Sequence, residues 1–226
     1  MTGIFDSGAG GLAALSELRR LLPGEDILFL ADVKNAPYGT KSPEEIVALA
    51  TENIRKLTAA GAERVLIACC TASAFHERLP MAERLISTPI IEPAARRAAE
   101  VTKNGRIAVI ATKLTARSAA FGKALRRLGS NFNVLEREAQ ELVEIAERAA
   151  RGIPLSDCDR EKIRRAVAPA RDFGADTLVL GCTHFSHLAE EIERSLEAVS
   201  TVDCARIGAG RIAERGGSGL GRTVLL

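Results

Sequence analysis

Two cysteines occupy matching points of an internal repeat. The run Gly61-Ala62-Glu63-Arg64-Val65-Leu66-Ile67-Ala68-Cys69-Cys70-Thr71 aligns without a gap on Gly174-Ala175-Asp176-Thr177-Leu178-Val179-Leu180-Gly181-Cys182-Thr183-His184. In each copy a glycine closes a helical pattern, an acid follows, an apolar run reads as a buried strand, and a cysteine stands at its carboxyl end. Ligands of open α/β sheets bind outside the carboxyl ends of the strands. Two thiols presented there by related halves, facing each other across a cleft, would place one acid–base group on each face of a bound carbon. Inversion at a stereocentre needs that arrangement: one group removes the proton and the other delivers one from the opposite side. Cysteine suits the task because its pKa responds to placement and to charged neighbours.

Further polar residues gather around the same strand ends. Asp6 and His184 are candidates to adjust the thiols or assist as bases. Ser7, Thr71, Ser73 and Thr183 offer hydroxyls for substrate carboxylates, together with free N–H groups at helix starts. Other chemistries weigh less. Gly8-x-Gly10-x-x-Ala13 meets the relaxed dinucleotide fingerprint, but Asp6 puts a carboxylate where a pyrophosphate would approach. Cys69, Cys70, Cys182 and His184 have the ligand types of a zinc site, yet adjacent cysteines are not its usual spacing. A thiol-redox role draws on Cys69-Cys70 but gains nothing from the repeat, and a bridge between neighbouring cysteines would be strained. Cys158 and Cys204 read as inert buried thiols, and His76 and His187 as residues of exposed helix faces.

The positioning elements follow from hydrophobic period. Gly3-Ile4-Phe5 is a strand, and Leu12, Leu15, Leu18 and Leu22 mark a helix after the glycine-rich turn. Strand Ile27–Leu30 leads to a polar loop containing Pro37-Tyr38-Gly39-Thr40 and the chain's only tyrosine. Ser42-Pro43-Glu44-Glu45 is a capping box opening a helix to about Ala60. After the first cysteine strand, a helix starts at Thr71 and Thr88–Ile91 is a short strand. A helix from Ala94 and strand Arg106–Ala111 follow, the latter equivalent to Gly3-Ile4-Phe5. Helix Ala116–Leu128, strand Phe132–Leu135, helix Ala139–Ala150 and a helix capped by Ser156-Asp157 precede the second cysteine strand. Helix Ser186–Ala198 and strand Val199–Val202 come last, with the glycine-rich end, Gly216 to Gly221, expected to be flexible.

Apolar runs flanked by helices on both sides predict parallel sheets buried on both faces. The fold class is therefore α/β in two domains: 1–92 together with about 205–226, and 93–204. With 226 residues the chain can bury a substantial core, and a net charge of +2 calls for neither nucleic acid nor an anionic membrane. No apolar run has the length of a membrane span. The chain opens on a strand without a basic leader, and its five cysteines do not make a secreted disulfide framework, so a cytoplasmic location is expected.

Four segments carry a family resemblance: Gly3-Ile4-Phe5-Asp6-Ser7-Gly8-Ala9-Gly10-Gly11-Leu12, Ala36 to Ser42, Ala68-Cys69-x-Thr71-Ala72-Ser73, and Gly181-Cys182-Thr183-His184. Taken in this order they resemble the glutamate racemases of bacteria. The resemblance implies two similar α/β domains with mainly parallel sheets, related by pseudo-two-fold symmetry, with the active site in the cleft between them. It implies no metal and no cofactor, Cys69 and Cys182 as the acid–base pair, and Asp6 and His184 assisting. Ser7, Pro37, Tyr38, Gly39, Cys70, Thr71, Thr112, Thr115 and Thr183 become expected substrate contacts. The implied reaction interconverts L- and D-glutamate and supplies D-glutamate for peptidoglycan. Partners are then a small amino-acid substrate, neither nucleic acid nor membrane, and the second copy of the homodimer common in the family. The chain departs from the pattern at Cys70, where an asparagine is usual, at Val33-Lys34-Asn35, and at Phe185-Ser186, where Tyr-Pro is usual. Two alternatives remain open at this point: a racemase of another acidic amino acid such as aspartate, and a non-catalytic ligand-binding paralogue.

Overall fold

The computed structural model describes residues 1–129, 131–196, 198–214, 216–217 and 219–226. Along the first half run β1 (Thr2–Asp6), α1 (Leu12–Leu21), β2 (Ile27–Ala31), α2 (Pro43–Ala59), β3 (Arg64–Ile67), the one-turn α3 (Cys70–Ser73), α4 (Met81–Ile86), β4 (Ser87–Pro89) and α5 (Ile91–Val101). The second half continues with β5 (Arg106–Ala111), α6 (Lys113–Ser118), α7 (Ala120–Leu128), β6 (Asn133–Glu138), α8 (Leu142–Ala150), α9 (Asp157–Asp172), β7 (Thr177–Gly181), α10 (Ala189–Arg194) and β8 (Ser200–Asp203). After these come α11 (Cys204–Ala213) and β9 (Thr223–Leu225).

Two sheets form, ordered β4-β3-β1-β2-β9 and β6-β5-β7-β8, and every pairing in them is parallel. Matching β1 to β5 maps β2-β1-β3-β4 onto β6-β5-β7-β8, which is the pseudo-symmetry that the repeat foretold. The repeated glycines do the same work in each copy. Gly61 and Gly174 both have positive φ, +103° and +70°. Behind each, the next N–H reaches back to the helix, Ala62 to Leu57 O and Ala175 to Ala170 O, as in a Schellman stop. The expected capping box of Ser42 with Glu45 is present, and the cap expected at Ser156 closes as a second box with Asp159.

Alternate strand residues sort onto two faces. Phe5, Leu28, Leu30, Val65 and Ile67 pack under α2 in one outer core. Leu178, Leu180, Ala108 and Ile110 pack against α8 and α9 in the other. Ile4, Ile27, Phe29, Leu66, Ile107, Val109 and Val179 turn inward to a core shared by both halves. Four helices fill that layer: α1 packs on α11, α11 on α5, and α5 on α7. α5, which precedes β5, packs on α7 and β7 of the second half, and α11, which follows β8, packs back on α1 of the first.

Several expectations need correction. The strand expected through Ile91 stops at Pro89, because Ile90, Ile91, Ala94, Ala95 and Ala98 make a helical face buried in the shared core. Glu92 and Pro93, the expected boundary, lie in the first turn of α5. Helix 116–128 is broken at Ala119, which is left-handed at φ 51°. The break lets Thr115 bond toward the cleft while Phe121, Ala124 and Leu125 enter the core. The expected helix from Ser186 begins as a 3-10 turn over Thr183–Leu188, whose tighter coil stacks Phe185 and Leu188 on one face and leaves Thr183 and His184 free for the cleft; Glu197, also in that range, lies outside the described residues. α11 was not expected at all; Asp203 caps it by accepting the N–H groups of Ala205 and Arg206. Finally, the described part of the glycine-rich end is tied down rather than loose, since the Leu220 and Arg222 N–H groups bond to Asp26 and β9 pairs with β2. Ser218 of that stretch lies outside the described residues.

Candidate active site

The cleft lies between the carboxyl ends of the two sheets. Cys69 follows β3 and caps α3, whereas Cys182 follows β7 directly and precedes the Thr183 turn. Both line one cavity, together with Ser7, Pro37, Tyr38, Gly39, Cys70, Thr71, Thr112, Thr183 and His184. The space left between these side chains is about 40 Å³. Of the expected site residues, Asp6 and Thr115 stand one layer behind the lining, and Ser73 is turned away from it, donating to Ile67 O and accepting the Ile90 N–H.

Around Cys69 the thiol donates to Ser7 Oγ at 3.3 Å. Burial pushes its pKa up to about 12, and the nearby Asp6 charge adds to the rise. Asp6 is fully buried, accepting the Gly8 N–H at 2.8 Å and the Thr183 hydroxyl at 3.0 Å. Desolvation raises its own pKa against the opposing pull of His184. The Thr183 bond joins the two halves, since Asp6 ends β1 and Thr183 follows β7.

Around Cys182 the partner is an imidazole. His184 Nδ1 lies 3.6 Å from Cys182 Sγ, and burial again lifts the thiol pKa well above its ordinary value. His184 Nε2 lies 3.6 Å from Glu147 Oε1 and makes no hydrogen bond among the described residues. The glycine-rich turn explains this packing: a Cβ on Gly10 would stand 2.5 Å from Thr183 Oγ1 and 2.7 Å from His184 Nδ1. The glycine makes room for the opposite half, and the place where a dinucleotide's phosphates would go is filled by Thr183 and His184.

Elsewhere the lining is made of hydroxyls. Thr71, Thr112 and Thr115 bond to one another at 2.8–3.1 Å. Tyr38 contributes its buried ring, but its hydroxyl is committed to Asp32 at 2.6 Å, with Asn53 bonding both. Cys70 divides between the cavity and the shared core, where its thiol meets that of Cys204. Cys158, expected to be buried, is exposed, and His76 is half-buried against Ser87 rather than on an open helix face. Among the described residues, no three His, Cys, Asp or Glu side chains are grouped to hold a metal.

Gln140, Val143 and Glu147 also line the cavity without having been singled out in the sequence. Their spacing of three and four was the available signal, since it sets them on one side of the turn and helix α8.

The model of the family Asp/Glu/Hydantoin racemase matches residues 11–212, and the chain belongs to that family of isomerases. It is 40% identical over 221 residues to the glutamate racemase of Geobacter metallireducens, covering 95% of this chain and 80% of that protein. Among solved structures, it resembles a glutamate racemase isoform of Bacillus anthracis with a TM-score of 0.88 at 28% identity, over 100% of this chain and 86% of the other. The glutamate racemase of Francisella tularensis in complex with D-glutamate aligns with a TM-score of 0.84 at 26% identity, over 95% and 80%. No helix among the described residues is long and apolar enough to cross a membrane.

Proposed function

We propose that the protein interconverts L- and D-glutamate without a cofactor, exchanging the Cα proton between Cys69 and Cys182. The observation that carries this reading is the pair of thiols, one from each pseudo-equivalent strand end, lining one cavity. The glutamate racemases named above support the substrate, one of them in complex with D-glutamate.

At neutral pH both thiols of the empty site hold their protons, because burial raises both pKa values. An entering substrate brings an ammonium group, which settles beside the buried Asp6. Its positive charge lowers the neighbouring thiol pKa. A thiol proton then passes to a nearby base, the Asp6 carboxylate on one side or His184 on the other, leaving a thiolate. That thiolate takes the Cα proton, the C–H electron pair spreads into the α-carboxylate, and the opposite thiol delivers its own proton to the other face. The product is the mirror-image amino acid, and thiol and thiolate have exchanged roles, so atoms and charge balance. The Thr71 and Thr112 hydroxyls, backed by that of Thr115, hold the α-carboxylate through charge-assisted bonds. In a cell this activity would take place in the cytoplasm and supply D-glutamate for peptidoglycan.

Cα–H exchange followed by NMR in deuterated water tests the reading, with L- and D-glutamate and then L- and D-aspartate as substrates. Exchange with both glutamate enantiomers is expected. Exchange with aspartate alone would move the substrate to the shorter acid and implicate Cys70. A folded, reduced sample that exchanges none of the four would overturn the reading in favour of a binding paralogue.

A further inference from the structure

Gln140 stands in the turn before α8 and reaches into the cavity. Its Oε1 accepts the N–H of Lys113, the first residue of α6, at 3.2 Å. A backbone N–H can only donate, so this bond fixes which end of the amide is oxygen. The Nε2 is thereby turned the other way, and it has no hydrogen-bond partner among the described residues. The amide lies over Gly39: a Cβ on that residue would come within 2.8 Å of Gln140 Oε1 and 3.2 Å of Thr112 Cβ.

These contacts set a distance from the chemistry. Thr71 comes two residues after Cys69, its hydroxyl is 3.0 Å from that of Thr112, and Thr112 and Gln140 flank Gly39 together. Gln140 is thus a step further from the thiol than the hydroxyls that suit an α-carboxylate. The charges divide the cavity the same way. Asp6 and Glu147 stand by Thr183 and His184, where an ammonium belongs, while Gly39, Thr112 and Gln140 are neutral. Gln140 is half-buried at the cavity wall, so its Nε2 is open to a ligand there rather than engaged with the protein.

We propose that Gln140 determines specificity by donating from Nε2 to the side-chain carboxylate of the amino acid held between Cys69 and Cys182. This rests on the racemase reading above. An acid one methylene shorter stops short of the amide, so the contact favours glutamate over aspartate.

Gln140→Glu is the sharpest test, because it keeps an oxygen for the Lys113 N–H and replaces the donor by a negative charge. The measurements are KM and kcat for both glutamate enantiomers, with thermal melting run alongside. Gln140→Glu is expected to raise KM about 100-fold and Gln140→Ala about tenfold, with kcat falling less than threefold in the latter, as loss of one charge-assisted bond requires. Both variants should melt close to the parent, since Lys113 is exposed and water can take its N–H. A KM within twofold of the parent in Gln140→Glu would overturn the inference while leaving the racemase reading intact. Matching losses in kcat and melting temperature in both variants would also overturn it, as a merely structural role. If the parent protein itself exchanges no glutamate, the racemase reading falls and the specificity role falls with it.

Discussion

The two halves share a scaffold but not the groups that attend their thiols. β2-β1-β3-β4 and β6-β5-β7-β8 superpose in order and direction, and each places a cysteine beyond its third strand in sequence. Yet Cys69 leans on a serine hydroxyl with Asp6 behind it, whereas Cys182 faces a histidine with Glu147 behind that. Duplication explains the first fact, and substrate geometry explains the second. An amino acid's Cα presents its hydrogen to either thiol, but its ammonium, α-carboxylate and side chain are three different groups in fixed places. A two-fold axis can therefore relate the two sulfurs and nothing else in the pocket. The bond from Thr183 to Asp6 then couples the two kinds of assistance across the cleft.

The most severe way to break this comparison is to remove one thiol at a time. Cys69→Ser and Cys182→Ser should each lower racemisation about 10³-fold, the scale of a lost acid–base group. The residual Cα–H exchange should differ by enantiomer, one variant sparing exchange from the L side and the other from the D side. NMR exchange rates for each enantiomer measure this directly. Equal loss for both enantiomers in one variant, with none in the other, would mean a single base rather than a pair.

Gly10→Ala disturbs one side selectively. The added Cβ would press first on Thr183 Oγ1 and His184 Nδ1, both on the Cys182 side. Overpacking of this kind costs about 1–3 kcal/mol, and a displaced His184 should reduce kcat/KM by about 10–100-fold. The loss should fall on the direction in which Cys182 takes the proton. Equal loss in both directions would show that Thr183 and Asp6 tie the halves too closely for one side to be disturbed alone.

A smaller effect is expected from pH. Both thiol pKa values are raised, Cys69 to about 12, so the basic form in the free enzyme is scarce at pH 7 and grows with pH. Because the thiol proton passes inside the site to Asp6 or His184 once substrate is bound, kcat/KM should nonetheless change less than about threefold from pH 7 to 8.5, with no rise at the ordinary thiol value. A rise of about tenfold per unit over that range would mean that the thiolate forms by losing its proton to solvent before substrate arrives.

Much of this pairing was legible in the sequence because it rests on local signals. The gapless repeat, the two glycine stops, the Ser42 capping box and the Ser156 cap are all features of short windows, and the structure has each of them. What stayed hidden depends on tertiary contact. Thr183–Leu188 coils as a 3-10 turn because His184 must face the cleft while Phe185 and Leu188 face the core. α11 has only a weak apolar signature, with alanine and glycine on its buried face, and it exists where α1 and α5 leave a slot for it. Gln140 sits in a turn, and its spacing to Val143 and Glu147 gains meaning only once α8 is seen to line the cavity. Gly10 was visible, but its reason, a threonine and an imidazole from the far half, was not.

β9 is where the two sheets differ outright, since the first carries an added edge strand beside β2 while β6, the counterpart of β2, has no such neighbour among the described residues. The strand is held through Asp26, whose carboxylate accepts the Leu220 and Arg222 N–H groups and pairs with the Arg222 guanidinium at 2.7 Å. The arginine holds the Asp26 pKa well below the usual carboxylate range. A depressed pKa means that the contribution is complete above the ordinary aspartate value and is lost only as the pH falls through the folded one. Asp26→Asn keeps an oxygen for the two N–H groups and removes the charge, so β9 should loosen without unfolding the sheet. Amide exchange at Val224 and Leu226, whose N–H groups face β2, should quicken several-fold at neutral pH, with the melting temperature falling by only a few degrees, the scale of a partly exposed ion pair. Parent and variant should converge in strong acid, where the parent's carboxylate is protonated as well. Unchanged exchange in the variant would show that β9 is held by its ladder to β2 alone, and the asymmetry between the sheets would then rest on backbone pairing rather than on charge.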